Sequence, residues 1–248
     1  MSEFFTPNYF IDADTGEISY PKTANVTTID YVCADPHFSH PRLFKFSWRA
    51  NIFRDPDEYD EFMVNSWNKV VKKGQTVVII GDYAYKDHAK WLNRLNGKKI
   101  LVYGNHDSMG QDKLNLFTGV YPMYMKNIKG QEVFFFHYPC KAWPNANKGS
   151  WNLYGHTHGR EREYPRNTQF DCGVDVWGYI PIPWEVVEMK MDFLQKLDSK
   201  YSAKGLLNET LARANLGILS IYFNSKNMEN PVDKKVMDFF FNSEAKAK

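Results

Sequence analysis

Residues 98–107 read KKILVYGNHD, an apolar run that is followed at once by glycine, asparagine, histidine and aspartate. A short run of this kind is typical of a buried β-strand, and the glycine indicates a turn after it. Four other stretches end in the same way, in an Asp or a His: residues 29–35 (IDYVCAD), 76–82 (TVVIIGD), 132–137 (EVFFFH) and 150–156 (SWNLYGH). Because functional groups of layered α/β proteins gather at the carboxyl ends of strands, we expect these five ends to converge on one crevice.

The segments between the apolar runs carry helix signals. Asp55 is a suitable helix cap, Pro56 suits the first helical position and Glu58 lies three residues after the cap. Apolar residues then recur on one face, and this helix is expected to stop at Gly74. A second helix is predicted from about Lys86 to a stop signal at Asn96, with His88 on its surface. Strands that alternate with helices predict an α/β fold.

The two ends of the chain differ from its middle. Residues 1–25 are predicted to form a hairpin, since FIDADTGEISY places Asp-Thr-Gly between two apolar stretches. The predicted main domain is residues 1–190, with its core at about 28–190. Residues 191–248 are predicted to be a helical extension, because helical periodicity continues there without candidate ligands. This extension leaves room for a dimer contact or a lid.

Composition excludes several classes of protein. The 248 residues carry 31 Lys and Arg against 29 Asp and Glu, so bulk charge gives no argument for nucleic-acid or membrane binding. Three cysteines without a CxxC spacing indicate neither a disulfide framework nor a thiolate metal site. No apolar run is long enough to span a bilayer. We expect a soluble cytoplasmic protein with no membrane partner.

Five of the seven histidines follow the apolar runs: His37, His106, His137, His156 and His158. Imidazole and carboxylate ligands without thiolates suit divalent manganese, iron, cobalt, nickel or zinc, whereas a structural zinc site usually includes cysteines. The sequence therefore predicts a catalytic metal site.

The chain resembles the calcineurin-like metallophosphoesterase superfamily in five motifs, over roughly residues 28–190. They are Asp35-Pro36-His37, Gly81-Asp82, Gly104-Asn105-His106-Asp107, His137 and Gly155-His156-Thr157-His158. Residues 173–179 (GVDVWGY) are similar to the small bacterial and phage members. The resemblance implies a four-layer α-β-β-α sandwich with two divalent ions. Manganese is the expected ion, and iron, nickel, cobalt and zinc are alternatives.

The resemblance also implies a role for each site residue. One metal would be held by Asp35, His37, Asp82 and His158. The other would be held by Asp82, Asn105, His137 and His156, so that the Asp82 carboxylate bridges the two ions. A hydroxide between the metals would attack phosphorus, His106 would protonate the leaving group, and Asp107 would orient the ring of His106.

Two stretches without acidic residues, 36–54 and 138–157, combine basic and aromatic side chains. Such a combination suits a phosphate that is attached to a base, and His40 and Arg42 are the predicted substrate-binding residues. In the alternative interpretation, the aromatic side chains fill the core and the basic ones are solvated.

We therefore expect a hydrolase of a phosphodiester, with a nucleotide or cyclic nucleotide as a possible substrate. The alternatives are a phosphomonoesterase, a metal-dependent nuclease acting on nucleic acid, and a non-catalytic binding protein that keeps the fold.

Overall fold

A computed structural model describes residues 26–164, 167–197 and 205–242, together with residues 10–11, 18–19, 22 and 24. The strands are β1 (Phe10–Ile11), β2 (Ile18–Ser19), β3 (Tyr31–Cys33), β4 (Thr76–Ile80), β5 (Lys98–Val102), β6 (Gly119–Tyr121), β7 (Tyr124–Ile128), β8 (Gln131–Phe135), β9 (Trp151–Tyr154), β10 (Gln169–Asp171) and β11 (Ile182–Pro183). The helices are α1 (Pro41–Phe46), α2 (Arg49–Ile52), α3 (Pro56–Val70), α4 (His88–Arg94), α5 (Gln111–Leu114), α6 (Trp184–Lys196), α7 (Asn208–Ser225) and α8 (Lys234–Phe241).

Two larger sheets organise the molecule. The first has the strand order β11-β3-β4-β5-β6 and is parallel except for β11. The second has the order β10-β9-β8-β7, in which only β7 is antiparallel to its neighbour. Every residue of β4 is buried, as expected for a parallel strand that is covered on both faces. Both sheets and the helices share one apolar core, and the predicted α-β-β-α class is confirmed.

The helix that follows Asp55 begins as predicted. The Asp55 carboxylate accepts a hydrogen bond from the backbone N–H of Glu58 at 2.8 Å, and Pro56 is the first helical residue. The helix ends at Val70, four residues before Gly74, since Val71 already has an extended backbone. On its inner face Trp67 is fully buried, so this helix covers the sheet that carries the first three ligand loops.

The second predicted helix is shorter than expected. Helix α4 begins at His88, and the side chain of Asp87 makes no capping hydrogen bond because its backbone is left-handed. The prediction that His88 lies on the surface was wrong, since it is 6% exposed.

The chain ends are described in part. Strand β1 pairs antiparallel with β2, whereas the predicted turn at residues 14–16 lies outside the described residues. Helix α6 runs across the predicted division at residue 190, and α7 and α8 bury Leu211, Leu216 and Phe240 in the shared core. Among the described helices, none has the length and apolar character needed to cross a membrane.

Candidate metal centre

The predicted ligands lie in tight turns at the ends of the strands. Five of them have a left-handed backbone, with positive φ angles: Asp35 (57°), His37 (48°), Asp82 (54°), His156 (69°) and His158 (49°). Residues other than glycine adopt this conformation at a cost, and such backbone strain is concentrated at functional sites. The turns bring together side chains that are up to 123 residues apart in the sequence.

Six of the predicted ligands form two groups. The first contains Asp35, His37 and His158, and the second contains Asp82, His137 and His156. Within each group one ligand atom from every residue lies within 4.8 Å of the others. Asn105 belongs beside the second group, because its Oδ1 atom lies 3.1 Å from His137 Nε2 and 3.0 Å from His156 Nδ1.

Asp82 lies between the two groups. Its Oδ2 atom is 3.3 Å from His37 Nε2 and 3.4 Å from His137 Nε2. Its Oδ1 atom accepts the backbone N–H of His106 at 2.8 Å, which fixes the orientation of the carboxylate. One carboxylate oxygen is therefore shared by a histidine of each group.

Two histidines have ring nitrogens that are suited to hold a cation. Neither ring nitrogen of His37 has a hydrogen-bond partner in the described part of the chain, although the side chain is buried. Buried polar atoms normally have a partner, so these nitrogens indicate a missing ligand. His137 Nδ1 lies 2.9 Å from the Ile80 carbonyl oxygen and donates to it, so Nε2, which faces Asp82, is the nitrogen available to a cation once its proton is displaced.

The electrostatics of the site also fit a bound cation. Burial raises the pKa of Asp35 to about 7 and lowers the pKa of His37 to about 3, so the His37 ring stays neutral and can act as a ligand. Burial opposes a charged His137, but Asp82 and Asp35 outweigh it and raise the pKa of His137 to about 9. The buried carboxylates thus attract positive charge, which divalent ions would supply on displacing protons.

The model of the calcineurin-like phosphoesterase family matches residues 31–236, which include every proposed ligand. This chain belongs to the calcineurin-like phosphoesterase family. It is therefore a metal-dependent phosphoester hydrolase. The match extends beyond residue 190 and into α8.

Three relatives of this phosphoesterase illustrate how widely the fold occurs. An uncharacterized protein of Methanocaldococcus jannaschii is 26% identical over 167 residues, which are 63% of this chain and 88% of the relative. The gene 66 protein of Mycobacterium phage L5 is 26% identical over 192 residues, which are 63% of this chain and 91% of the relative. A protein of unknown function from Aquifex aeolicus has a solved structure with a TM-score of 0.54 and 23% identity, covering 66% of this chain and all of that one. This last similarity shows the shared fold.

His106 and His40 lie together at the open side of the phosphoesterase site. His106 is exposed, and its ring centroid is 5.3 Å from that of His37 and 5.1 Å from that of His40. His40 also caps α1, because its Nδ1 atom accepts the backbone N–H of Leu43 at 3.1 Å. Arg42 lies exposed in the first turn of the same helix.

The predicted role of Asp107 was wrong. Both of its oxygens are taken by backbone N–H groups, those of Asp82 (2.8 Å), Tyr83 (2.7 Å) and Gly104 (2.8 Å). Asp107 is fully buried and acts on the main chain of two ligand loops, not on the ring of His106. This carboxylate holds the turn after β4 against the turn after β5.

For residues 36–54, the structure shows which of the two interpretations holds for some of the aromatic side chains. Phe38, Phe44 and Phe53 are buried in the core, as the alternative interpretation expected. Arg49 fits neither interpretation, since it is buried and bonds to Asp175 through both Nε and Nη2.

Sequence reasoning also missed Asp171 and Asp175 as parts of the site. Asp171 Oδ2 accepts hydrogen bonds from Thr157 Oγ1 and from the backbone N–H of Gly159, and thus holds the loop that carries His156 and His158. Asp175 lies within the GVDVWGY motif, so the resemblance located it without indicating its contacts.

Proposed function

We propose that this phosphoesterase hydrolyses a phosphodiester, with a nucleotide or cyclic nucleotide as substrate and two divalent ions, manganese first, as cofactors. The observation that carries the proposal is the position of Asp82 Oδ2, between His37 of the first group and His137 of the second. A single carboxylate placed in this way suits a pair of ions better than one ion.

The ligands of the two ions follow from the two groups. Asp35, His37, His158 and Asp82 would hold the first ion, and Asp82, Asn105, His137 and His156 the second. When bound, the ions would lower the pKa of a water molecule and neutralise charge on the phosphoryl oxygens.

His106 is the proposed general acid. It is exposed beside the first group, and the bond from its backbone N–H to Asp82 fixes its place relative to the metal ligands. From this position its ring can donate a proton to an oxygen that leaves phosphorus, which an alkoxide leaving group requires.

The charge of the site favours a diester over a monoester. Arg49 is a buried cation beside the ligand loops, and its donors are taken by Asp175 and by the carbonyls of Asp35 and Pro36. Its charge is thus balanced within the protein and does not serve a substrate. A monoanionic diester needs less positive charge from the site than a dianionic monoester.

Two exposed tyrosines support a substrate with a base. Tyr85 is 57% exposed, and its ring lies 4.8 Å from the ring of His40, which also contacts the ring of His106. The Tyr138 ring is 37% exposed and lies 4.7 Å from the ring of His156. Each offers an aromatic face beside the metal groups, on which a base can stack.

The proposed place of action is a reducing compartment such as the cytoplasm. Cys33, Cys140 and Cys172 are free thiols. A disulfide between them would be expected if this part of the chain were stabilised for an oxidising environment.

The test is a metal-resolved assay of the purified chain. The protein is stripped of metal, reloaded with manganese, iron, cobalt, nickel or zinc, and given an aryl phosphodiester, an aryl phosphomonoester, a nucleotide panel and single-stranded DNA. Asp82→Asn should abolish turnover, whereas Asp192→Asn, the same change at an exposed aspartate of α6, should not.

Each outcome of the assay decides between the alternatives. Diester turnover that exceeds monoester turnover supports the proposal, and the reverse identifies a phosphomonoesterase. Cleavage of DNA with strongly salt-dependent binding identifies a nuclease. Two bound ions without turnover of any ester would contradict the proposal and favour a binding protein.

A further inference from the structure

Arg49 is a buried arginine in a protein whose other cations lie mostly at the surface. Its side chain is 1% exposed, at the start of α2. Nε donates to Asp175 Oδ1 at 2.9 Å, and Nη2 donates to Asp175 Oδ2 at 2.8 Å. This paired geometry fixes the planes of both side chains, because two parallel hydrogen bonds allow one relative orientation. Arg49 and Asp175 are 126 residues apart in the chain and form the Arg49–Asp175 pair.

The Asp175 oxygen that accepts Nη2 of Arg49 also bonds to a proposed metal ligand. Asp175 Oδ2 lies 2.7 Å from His158 Nδ1. A carboxylate at this position keeps the proton on Nδ1 and leaves the Nε2 lone pair for a cation. The carboxylate therefore makes His158 electron-rich as well as correctly turned.

The remaining donors of Arg49 bind the other ligand loop of the same group. Nη2 donates to the carbonyl oxygen of Asp35 at 2.7 Å, and Nη1 donates to that of Pro36 at 3.1 Å. Tyr59 supports the same loop: its hydroxyl donates to the Pro36 carbonyl at 2.6 Å, and its ring lies 4.3 Å from Arg49 Cζ. The Arg49 guanidinium thus connects the loop that carries Asp35 and His37 to the Asp175 carboxylate, which in turn bonds to the side chain of His158.

The stability of the fold does not by itself explain a buried ion pair such as Arg49–Asp175. A buried ion pair loses solvation that its Coulomb attraction restores only in part, and apolar residues of similar size can often replace it without loss. Hydrogen bonds of this pair, however, go to His158 and to the loop that carries Asp35 and His37. In the second group, His137 Nδ1 bonds to the neutral carbonyl of Ile80, and the buried Asp107 holds the loops of this group only through backbone N–H groups.

We propose that Arg49 and Asp175 are positioning residues for the first metal group, and that they make it the tighter of the two metal positions. The inference rests on the proposed two-metal function. Its physical basis is twofold: the pair holds Asp35, His37 and His158 in place before the ion arrives, and Asp175 strengthens His158 as a donor. Contacts of this kind behind a ligand typically change metal affinity by about 10–100-fold.

The test is a calorimetric titration of the metal-free full chain with Mn²⁺, in which the two ions are expected to bind in a tight step and a weak step. The variants are Asp175→Asn, which preserves shape and removes the charge, and Arg49→Lys, which preserves the charge and removes the paired geometry. The matched control is Arg94→Lys, because Arg94 makes the same kind of two-bond contact with Glu61 at 2.6 and 2.5 Å on the outside of the protein. Circular dichroism checks that each variant is folded.

The expected result is a tight step that weakens about 10–100-fold in both site variants while the weak step is unchanged. Arg94→Lys should leave both steps unchanged. An unchanged tight step in folded Asp175→Asn would overturn the inference, and so would an equal weakening of both steps, since a general structural role has that effect. If Arg49→Lys does not fold, Asp175→Asn decides alone.

The same titration separates this inference from the proposed function. A wild-type chain that binds two Mn²⁺ ions and hydrolyses no ester overturns the function, while the pattern of the two steps still decides the role of the pair. A wild-type chain that binds no Mn²⁺ or only one ion overturns both.

Discussion

Gly104 and Asp82 are in such close contact that a Cβ atom at position 104 would lie 2.3 Å from Asp82 Oδ1 and 2.5 Å from its backbone nitrogen. The Asp82 Oδ1 atom also accepts the backbone N–H of His106. Glycine is therefore needed here for the close approach of two ligand loops, and its conformational freedom is secondary. The carboxylate of Asp82, the proposed bridge between the two ions, is packed against the main chain of the GNHD motif.

Gly104→Ala should damage the metal centre. The methyl group has to displace Asp82, and overpacking of this kind typically costs about 1–3 kcal/mol in the free energy of unfolding. We expect loss of Mn²⁺ binding at both positions and loss of ester hydrolysis, measured by titration and by assay. Gly74→Ala is the matched control, because a Cβ there would meet no atom within 4 Å. Normal metal binding by Gly104→Ala would show that Asp82 is free to move.

Removal of the metal should lower the thermal stability. The site contains the buried carboxylates of Asp35 and Asp82, whose mutual repulsion divalent ions would relieve. Ions that bind only the folded chain raise the free energy of unfolding by about 2.7 kcal/mol at a concentration of 100 times Kd. A chelator should reverse this increase in scanning calorimetry. In Asp82→Asn the gain in thermal stability on adding metal should be much smaller than in the wild type. An equal gain would show that the ions bind at another site.

The convergence of the strand-end residues could be predicted because each candidate ligand is encoded locally. An apolar run leads into the candidate ligand at all five sites, with a small residue between them at four, so the sequence shows the whole pattern. The end of α3 was less predictable. Val71 leaves the helix before Gly74 with an extended backbone and is itself fully buried, and no local sequence signal marks this end.

The contacts behind the ligands could not be predicted from the sequence. Arg49 lies in a stretch without acidic residues, and its partner Asp175 is 126 residues away, so no local pattern relates the two. Asp107 was assigned to His106 because the two are adjacent in the chain. In a tight turn, however, adjacent side chains point in different directions, and Asp107 turns inward to three backbone N–H groups.

His106→Ala should slow the reaction without weakening metal binding. The ring lies outside both metal groups, and general acid help is typically worth about 10²–10⁴ in rate. The loss should be large for an alkyl phosphodiester and small for a 4-nitrophenyl ester, whose leaving group needs no proton. The measurement is kcat for both esters with Mn²⁺ binding as the control. An equal loss for both leaving groups would contradict the role of His106 as an acid.

Asp60 should make the stability of the fold depend on pH. It lies on α3, and its two oxygens accept the backbone N–H of Ser39 at 3.1 and 2.9 Å. Burial raises the pKa of Asp60 from 3.8 to about 6, although the bonds from Ser39 oppose the shift. The folded chain thus holds the proton more tightly than the unfolded chain does. The contribution of Asp60 to stability is complete below pH 3.8 and is lost as the pH rises through about 6.

The check on Asp60 is urea unfolding of the wild type and of Asp60→Asn between pH 4 and 7. Other groups titrate in both proteins, so the difference between the two isolates Asp60. We expect the wild type to lose stability relative to the variant as the pH rises. A relative gain would show that the bonds from Ser39 outweigh burial.

Tyr85→Leu should weaken the binding of a nucleotide substrate. Tyr85 is 57% exposed, and its ring lies 4.8 Å from that of His40, which lies 5.1 Å from the ring of the proposed acid His106, so an exposed aromatic surface is present near the site. Stacking of a base is worth about 1–3 kcal/mol, which corresponds to a KM that rises at least about fivefold while kcat stays near its normal value. Tyr85→Phe is the control that keeps the ring, and it should bind nucleotides normally. A phosphodiester with only alkyl groups should have the same KM in all three proteins. If Tyr85→Leu leaves the KM for every nucleotide unchanged, the base does not stack on this ring.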